Sequence, residues 1–142
     1  MILFVSISLF SQIDSSYKTE IDTSFLNHIR ESYYHAVEHP ESVDILLEYI
    51  KNKYSDRTKK YNPRIMSYHA CLTGLRGKYD KNVFNKVKYV NQRISRIDSV
   101  TGIFSECFEI SFLRFSFYYY PPDFFNVKEK RKADLDYVSR IL

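Results

Sequence analysis

Residues 109–125 read EISFLRFSFYYYPPDFF, with eight aromatic side chains in seventeen positions and two adjacent prolines, Pro121 and Pro122. Phe108, Ile110 and Phe112 alternate with Glu109 and Ser111 as in a strand, but the alternation fails where Phe112 and Leu113 stand side by side. At 100° per residue Phe108, Phe112, Phe115 and Tyr119 share one side of a helix, and Ile110, Leu113, Phe117 and Tyr120 cover much of the other. A helix that is apolar nearly all round is a buried one. The spacing therefore predicts a core helix stopped by the prolines, with Phe124 and Phe125 folding back onto the body of the protein. Arg114 is the odd member of this helix and needs an acidic partner or an exit to water. Glu109 lies too far around the helix to be that partner.

The remaining sequence reads as helix in the same way. Between Lys18 and Glu38 the residues Ile21, Phe25, Ile29, Tyr33 and Ala36 fall on one face, and His39-Pro40 ends the segment, because the residue before a proline avoids helical geometry. Val43, Leu46, Leu47 and Ile50 stripe a second helix over 41–54, and 55–64 reads as a loop. Asn62 followed by Pro63 is a cap-and-first-turn pair. In the helix behind it, Ile65, Tyr68, Leu72, Leu75 and Tyr79 form one apolar face, opposite Ser67, Ala70, Gly74 and Gly77. Two glycines on one side, each costing about 1 kcal/mol against alanine, predict close packing of another helix there, so this element is expected to be buried on both sides. Val83, Val87, Val90, Ile94 and Ile97 stripe the next helix, with Lys86, Lys88, Arg93 and Arg96 on its outer face and Gly102 marking its end. Leu135, Val138, Ile141 and Leu142 recur at helical spacing in the last stretch.

The expected fold is all-α: about six antiparallel helices in stacked hairpins, resembling a tetratricopeptide-type array whose unit is a helical hairpin of about 34 residues. Gly74, Leu75 and Tyr79 stand roughly where that consensus wants Leu-Gly and a later Tyr, while its tryptophan is missing. A length of 142 residues suits one domain, and three glycines with four prolines leave few turns for an all-β sandwich.

The first residues, MILFVSISLFSQ, carry an apolar run from Ile2 to Phe10, long enough for the apolar part of a signal peptide and too short to span a bilayer. Residues 1–11 are read as a signal peptide, with Ser11 before the cut and Gln12 as the new N-terminus, leaving 12–142 as one helical domain. Leu9 is larger than a cleavage site prefers. No basic residue precedes the run; a start a few residues upstream would supply one. Export to the periplasm or envelope is the expectation, and a cytoplasmic protein with a short buried N-terminal element the alternative.

GLRGKY at 74–79, FNKVKYVN at 84–91 and EISFLRFSF at 109–117, the last followed by prolines and paired phenylalanines, resemble segments of a family of uncharacterised bacterial helical proteins. The resemblance covers most of the chain after Gln12 and implies an all-helical, repeat-like fold and an envelope location. It supplies no activity and no catalytic residues. Asn126 and Val127 stand where that family has Gly-Tyr.

Three constellations could carry function. His28, Glu31, His35 and His39 lie along one flank of the first helix, and His35 and His39 are four apart, the spacing at which two imidazoles share a metal. They border the apolar stripe, where half-buried histidines ordinarily sit, and no second helix offers further ligands. Residues 51–96 hold thirteen basic and two acidic side chains with interleaved tyrosines, a composition that can neutralise phosphates and stack on bases, though no nucleic-acid-binding motif accompanies it. Residues 13–50 are acidic, so the basic segment also suits an acidic helix folded against it. Third, stacked hairpins offer grooves for a protein partner, and Tyr61, Tyr68, Tyr79, Lys86, Arg93 and Arg96 are the contact residues expected on that reading. Cys71 and Cys107 lack zinc-ligand spacing and read as buried or paired cysteines. No nucleophile motif or phosphate-binding glycine loop occurs, so the sequence points away from an enzyme and calls for no cofactor.

Overall fold

The computed structural model describes residues 23–53, 62–104, 106–119 and 121–142. Six α-helices follow one another among them: α1 Thr23–Glu38, α2 Glu41–Lys53, α3 Pro63–Tyr79, α4 Val83–Ile103, α5 Phe108–Tyr118 and α6 Lys128–Ile141. A single 3-10 turn, Asp123–Phe125, precedes α6, and no strand occurs among the described residues. The all-helical expectation holds. The segment read as a signal peptide and residues 18–22 of the first predicted helix lie outside the described residues.

Helix ends follow the local chemistry of the sequence. Asn62 Oδ1 accepts the backbone N–H of Arg64 at 2.9 Å, and Pro63 occupies the first turn of α3. The turn into α4 is held by side chains: Asp80 accepts the Asn82 backbone N–H at 2.8 Å, and Asn82 Oδ1 accepts that of Phe84 at 2.9 Å. Beyond α5 the prolines stop the helix as the sequence predicts, and Asn126 takes the left-handed conformation at φ 55° and ψ 38°. Asparagine is among the few non-glycine residues that tolerate this region. Gly102, expected at a helix end, lies in the last turn of α4, one residue before it ends at Ile103.

Each even-numbered helix packs on its predecessor, giving hairpins α1–α2, α3–α4 and α5–α6. The first helices of successive hairpins also touch, α1 with α3 and α3 with α5, and α2 and α4 pack on the first helix of the hairpin that follows. Helix α3 is thus surrounded by α1, α2, α4 and α5, and eleven of its residues are buried, from Arg64 to Gly77. Its two glycines face α4. A Cβ on Gly74 would overlap the Arg93 side chain, and one on Gly77 would come within 2.8 Å of Tyr89 Cβ and 3.4 Å of the Lys86 carbonyl oxygen. The close approach read from the sequence is therefore present, made by α4, although at Gly74 a side chain rather than backbone fills the space.

The core runs from Ile29, Ile50, Ile65 and Leu72 to Ile97 and Leu113. In α5, Ile110, Leu113, Phe117 and Tyr118 are buried, while Phe112 and Phe115 are half-buried and Tyr119 is exposed. Phe125 packs on the core, and Phe124 points outward at 68% exposure. The α4 stripe departs from the sequence pattern: Val83 and Val87 are exposed and only Ile97 is fully buried. The contacts that α5 makes at Arg93, Asp98 and Val100 fall in the second half of α4, where Ile97 is buried. In α6 the inward residues are Asp134 and Val138, with Leu135, Ile141 and Leu142 exposed. Asp134 faces inward because Arg114, the odd residue of the aromatic helix, bonds it at 2.6 and 2.5 Å. Asp98 of α4 approaches the same arginine at 3.7 Å and also receives the Tyr118 hydroxyl and Lys130.

Candidate functional site

Helices α2 and α4 flank α3 and leave a polar cleft of about 440 Å³ between them. Its layout follows from antiparallel packing. Arg76 of α3 is paired with Asp44 of α2, and Gly77 meets Tyr89 of α4. Helices advance 1.5 Å per residue, so seven residues further along α2 brings Lys51 opposite the residue seven back in α3, His69. Seven residues past Tyr89 along α4 stands Arg96, whose Nη1 lies 3.3 Å from His69 Nδ1. Glu48, Thr73 and Gln92 also line the cleft.

The two ends differ in charge. At one end Arg76 is neutralised by Asp44, and its guanidinium lies 6.0 Å from the centre of the Tyr89 ring. Toward the other, Arg96 bonds His69 and Lys51 lines the same cleft, and neither cation is ion-paired with a described carboxylate. Burial, and then the charges of Arg96 and Arg76, lower the His69 pKa below the ordinary imidazole value. His69 is consequently neutral at neutral pH. Arginine has no acceptor, so Arg96 donates to Nδ1, and the ring proton resides on Nε2, a donor.

A second polar cluster lies in the core. Glu109 of α5 is buried and accepts from Arg30 Nε and Nη2 of α1, each at 2.7 Å, and from the Tyr68 hydroxyl of α3 at 2.6 Å. Arg64 Nε adds an ionic contact at 3.3 Å. Burial first, and then the Glu109 charge and hydrogen bond, push the Tyr68 phenol well above its usual value. This set of donors and acceptors joins the first helices of all three hairpins and has the character of a structural tie rather than a reaction site.

The sequence-predicted contact residues divide. Tyr68 is wholly buried in the Glu109 cluster and Arg93 is 3% exposed, so neither can meet a partner at the surface. Arg93 was placed on an outer basic face by helical spacing. It instead turns into the groove left by Gly74, lies over the Phe117 ring at 3.4 Å and bonds Cys71 Sγ at 2.9 Å. An aromatic face and a thiol in place of a carboxylate gave no signal in the sequence. Tyr79 is half-buried, with its hydroxyl donating to the Val37 carbonyl. Lys86 and Arg96 are exposed, and Arg96 lines the cleft. Tyr61 lies outside the described residues. His69, Glu48 and Gln92 were missed; the available signal was the i, i+4, i+7 polar stripe His69, Thr73 and Arg76 on an otherwise buried helix.

His28, His35 and His39, the last just past the end of α1, do not form a ligand set. His35 and His39 stack ring on ring at 3.9 Å, His39 Nδ1 lies 3.0 Å from the His35 carbonyl oxygen, and His28 packs edge-on against Tyr49. With Glu31 they bring no three potential ligands together, and no such group occurs among the described residues. Cys71 and Cys107 are buried free thiols. No described helix is long and apolar enough to cross a membrane. Comparison of the chain with protein-family models, curated proteins and solved structures finds no match.

Proposed function

We propose that this chain is a non-catalytic helical interaction module, exported to the cell envelope, in which tetratricopeptide-like hairpins hold a segment of a partner protein in the cleft between α2 and α4. The observation that carries this reading is the cleft itself: three helices wall a polar groove whose side chains differ in charge from end to end. An extended peptide has a direction, and such a groove distinguishes its two ends. The contacts between successive first helices support the comparison with stacked repeats, and the apolar run from Ile2 to Phe10 supports export.

A photo-crosslinking residue at Gln92, inside the cleft, and the same residue at Lys132, exposed on α6, test the module. In envelope extracts the cleft position is expected to give one stoichiometric adduct that the α6 position does not. Equal, diffuse labelling from both would refute the proposal. Export is tested separately by fusing residues 1–22 to a reporter that is active only outside the cytoplasm, where no activity means no signal function.

A further inference from the structure

The Lys51, His69 and Arg96 end of the cleft has a narrower chemistry than the groove as a whole. Arg96 of α4 bonds a neutral imidazole, Lys51 of α2 lines the same cleft, and of the two cleft carboxylates Asp44 is taken up by Arg76. Arg96 commits one nitrogen to His69 Nδ1, which leaves the rest of its fork of donors. Such a fork matches the two oxygens of a carboxylate, and hydrogen bonds in which both partners are charged are roughly twice as strong as neutral ones. His69 Nε2–H is a further donor. At the opposite end Asp44 already fills the corresponding place on Arg76, so an incoming anion has one end to choose.

We infer that Lys51, His69 and Arg96 form an anion subsite that receives an acidic side chain of the peptide held in the cleft. The inference rests on the interaction-module reading and gives it a ligand class, an acidic extended segment whose carboxylate docks at this end. Asp44 and Glu48 of α2 repel a second acidic residue farther along, so one carboxylate at the subsite end followed by neutral residues fits best. The titratable and charged groups around His69 are Asp44, Glu48 and Lys51 of α2, Arg76 of α3, and Tyr89 and Arg96 of α4. Binding an anion among them stabilises imidazolium over imidazole. By linkage, affinity therefore rises as the solution is acidified through the His69 transition.

The probes are an N-acetylated, C-amidated pentapeptide, Glu-Ser-Gly-Ser-Gly, its Gln-Ser-Gly-Ser-Gly counterpart, and inorganic phosphate, each titrated against the full chain while the His69 ring is followed by NMR. The glutamate peptide is expected to shift His69 and raise its titration midpoint, with the glutamine peptide at least tenfold weaker. Arg96→Gln and Lys51→Gln are each expected to weaken the glutamate peptide about tenfold, with unchanged melting temperature because both side chains are exposed; His69→Gln removes the pH dependence of affinity. Equal binding of the two peptides, or binding unaffected by Arg96→Gln, overturns the subsite. Phosphate binding at His69 with no response to the glutamate peptide also overturns it, in favour of a free-anion site. None of these outcomes depends on the cross-linking from Gln92, so the subsite and the module fail separately.

Discussion

At Glu109 one carboxylate satisfies a guanidinium bidentately, a second cation and a phenol, all beneath the surface. Removing one partner of a buried ion pair costs about 3–5 kcal/mol, because the charge left behind has lost its compensation. Glu109→Gln is expected to lower the urea midpoint by the equivalent of that amount. Arg114→Leu would strip Asp134 of both its hydrogen bonds while leaving that carboxylate 3% exposed. Burial opposes the Arg114 charge, yet its bonds to Asp134 outweigh burial and hold its pKa above the usual value. The variant should melt lower than the parent, by about 3 kcal/mol in unfolding free energy; an unchanged or raised midpoint would make the arginine incidental. His69 sets a pH dependence. Its pKa is depressed in the fold, so the unfolded chain takes up the proton more readily. Stability is retained above the unfolded value of 6.5 and falls as pH drops through it toward the folded value. Denaturant titrations from pH 7.5 to 5 should show this slope in the parent, reduced in His69→Gln.

Among the helices, the three glycines rank themselves by what a methyl group would meet. Gly102→Ala adds a side chain where nothing lies within 4 Å and should stabilise α4 by up to about 1 kcal/mol through helix propensity alone. Gly74→Ala and Gly77→Ala gain the same propensity but press on Arg93 and on Tyr89 with the α4 backbone. Both should destabilise, by about 1–3 kcal/mol as overpacking does, with Gly77 the costlier because backbone yields less readily than a side chain. Thermal melts of the three variants give the ranking. This is also where the sequence was most readable. Glycine in a helix interior has few reasons to exist, so Gly74 and Gly77 announce a close neighbour in the sequence itself. The aromatic run over 109–117 announced a buried helix by leaving no polar face. Position-dependent contacts were not legible. Arg93 and Arg96 are three residues apart and look alike in sequence, yet one enters the core against Phe117 and the other stays at the cleft. What separates them is the notch at Gly74, nineteen residues earlier. The cleft was half legible for the same reason: Arg96 was singled out as a cation, but its neighbours His69 and Lys51 come from two other helices. Their meeting depends on the register of three elements.

For the molecule as a whole, the buried thiols offer a reading of cooperativity. Cys71 lies in α3, and Cys107 caps α5 and packs with Val100 and Ile110. Burial raises the Cys71 thiol pKa despite Arg93 beside it, so both depth and chemistry protect it. Neither cysteine should react with an aromatic disulfide reagent in the native protein. Both should become reactive over the same denaturant range in which helical circular dichroism is lost; earlier labelling of Cys107 alone would mean that the last hairpin opens by itself.

The Glu109 tie bears on how the chain is made. During synthesis the residues of α1 emerge first, and Arg30 must wait seventy-nine residues for its carboxylate. In an ordinary stack of repeats each unit relies on its neighbours alone, and early units can settle while later ones are still being added. Here the first hairpin cannot reach its final interior until the last has been delivered. A chain cut short before α5 would thus leave Arg30 without its bidentate acceptor.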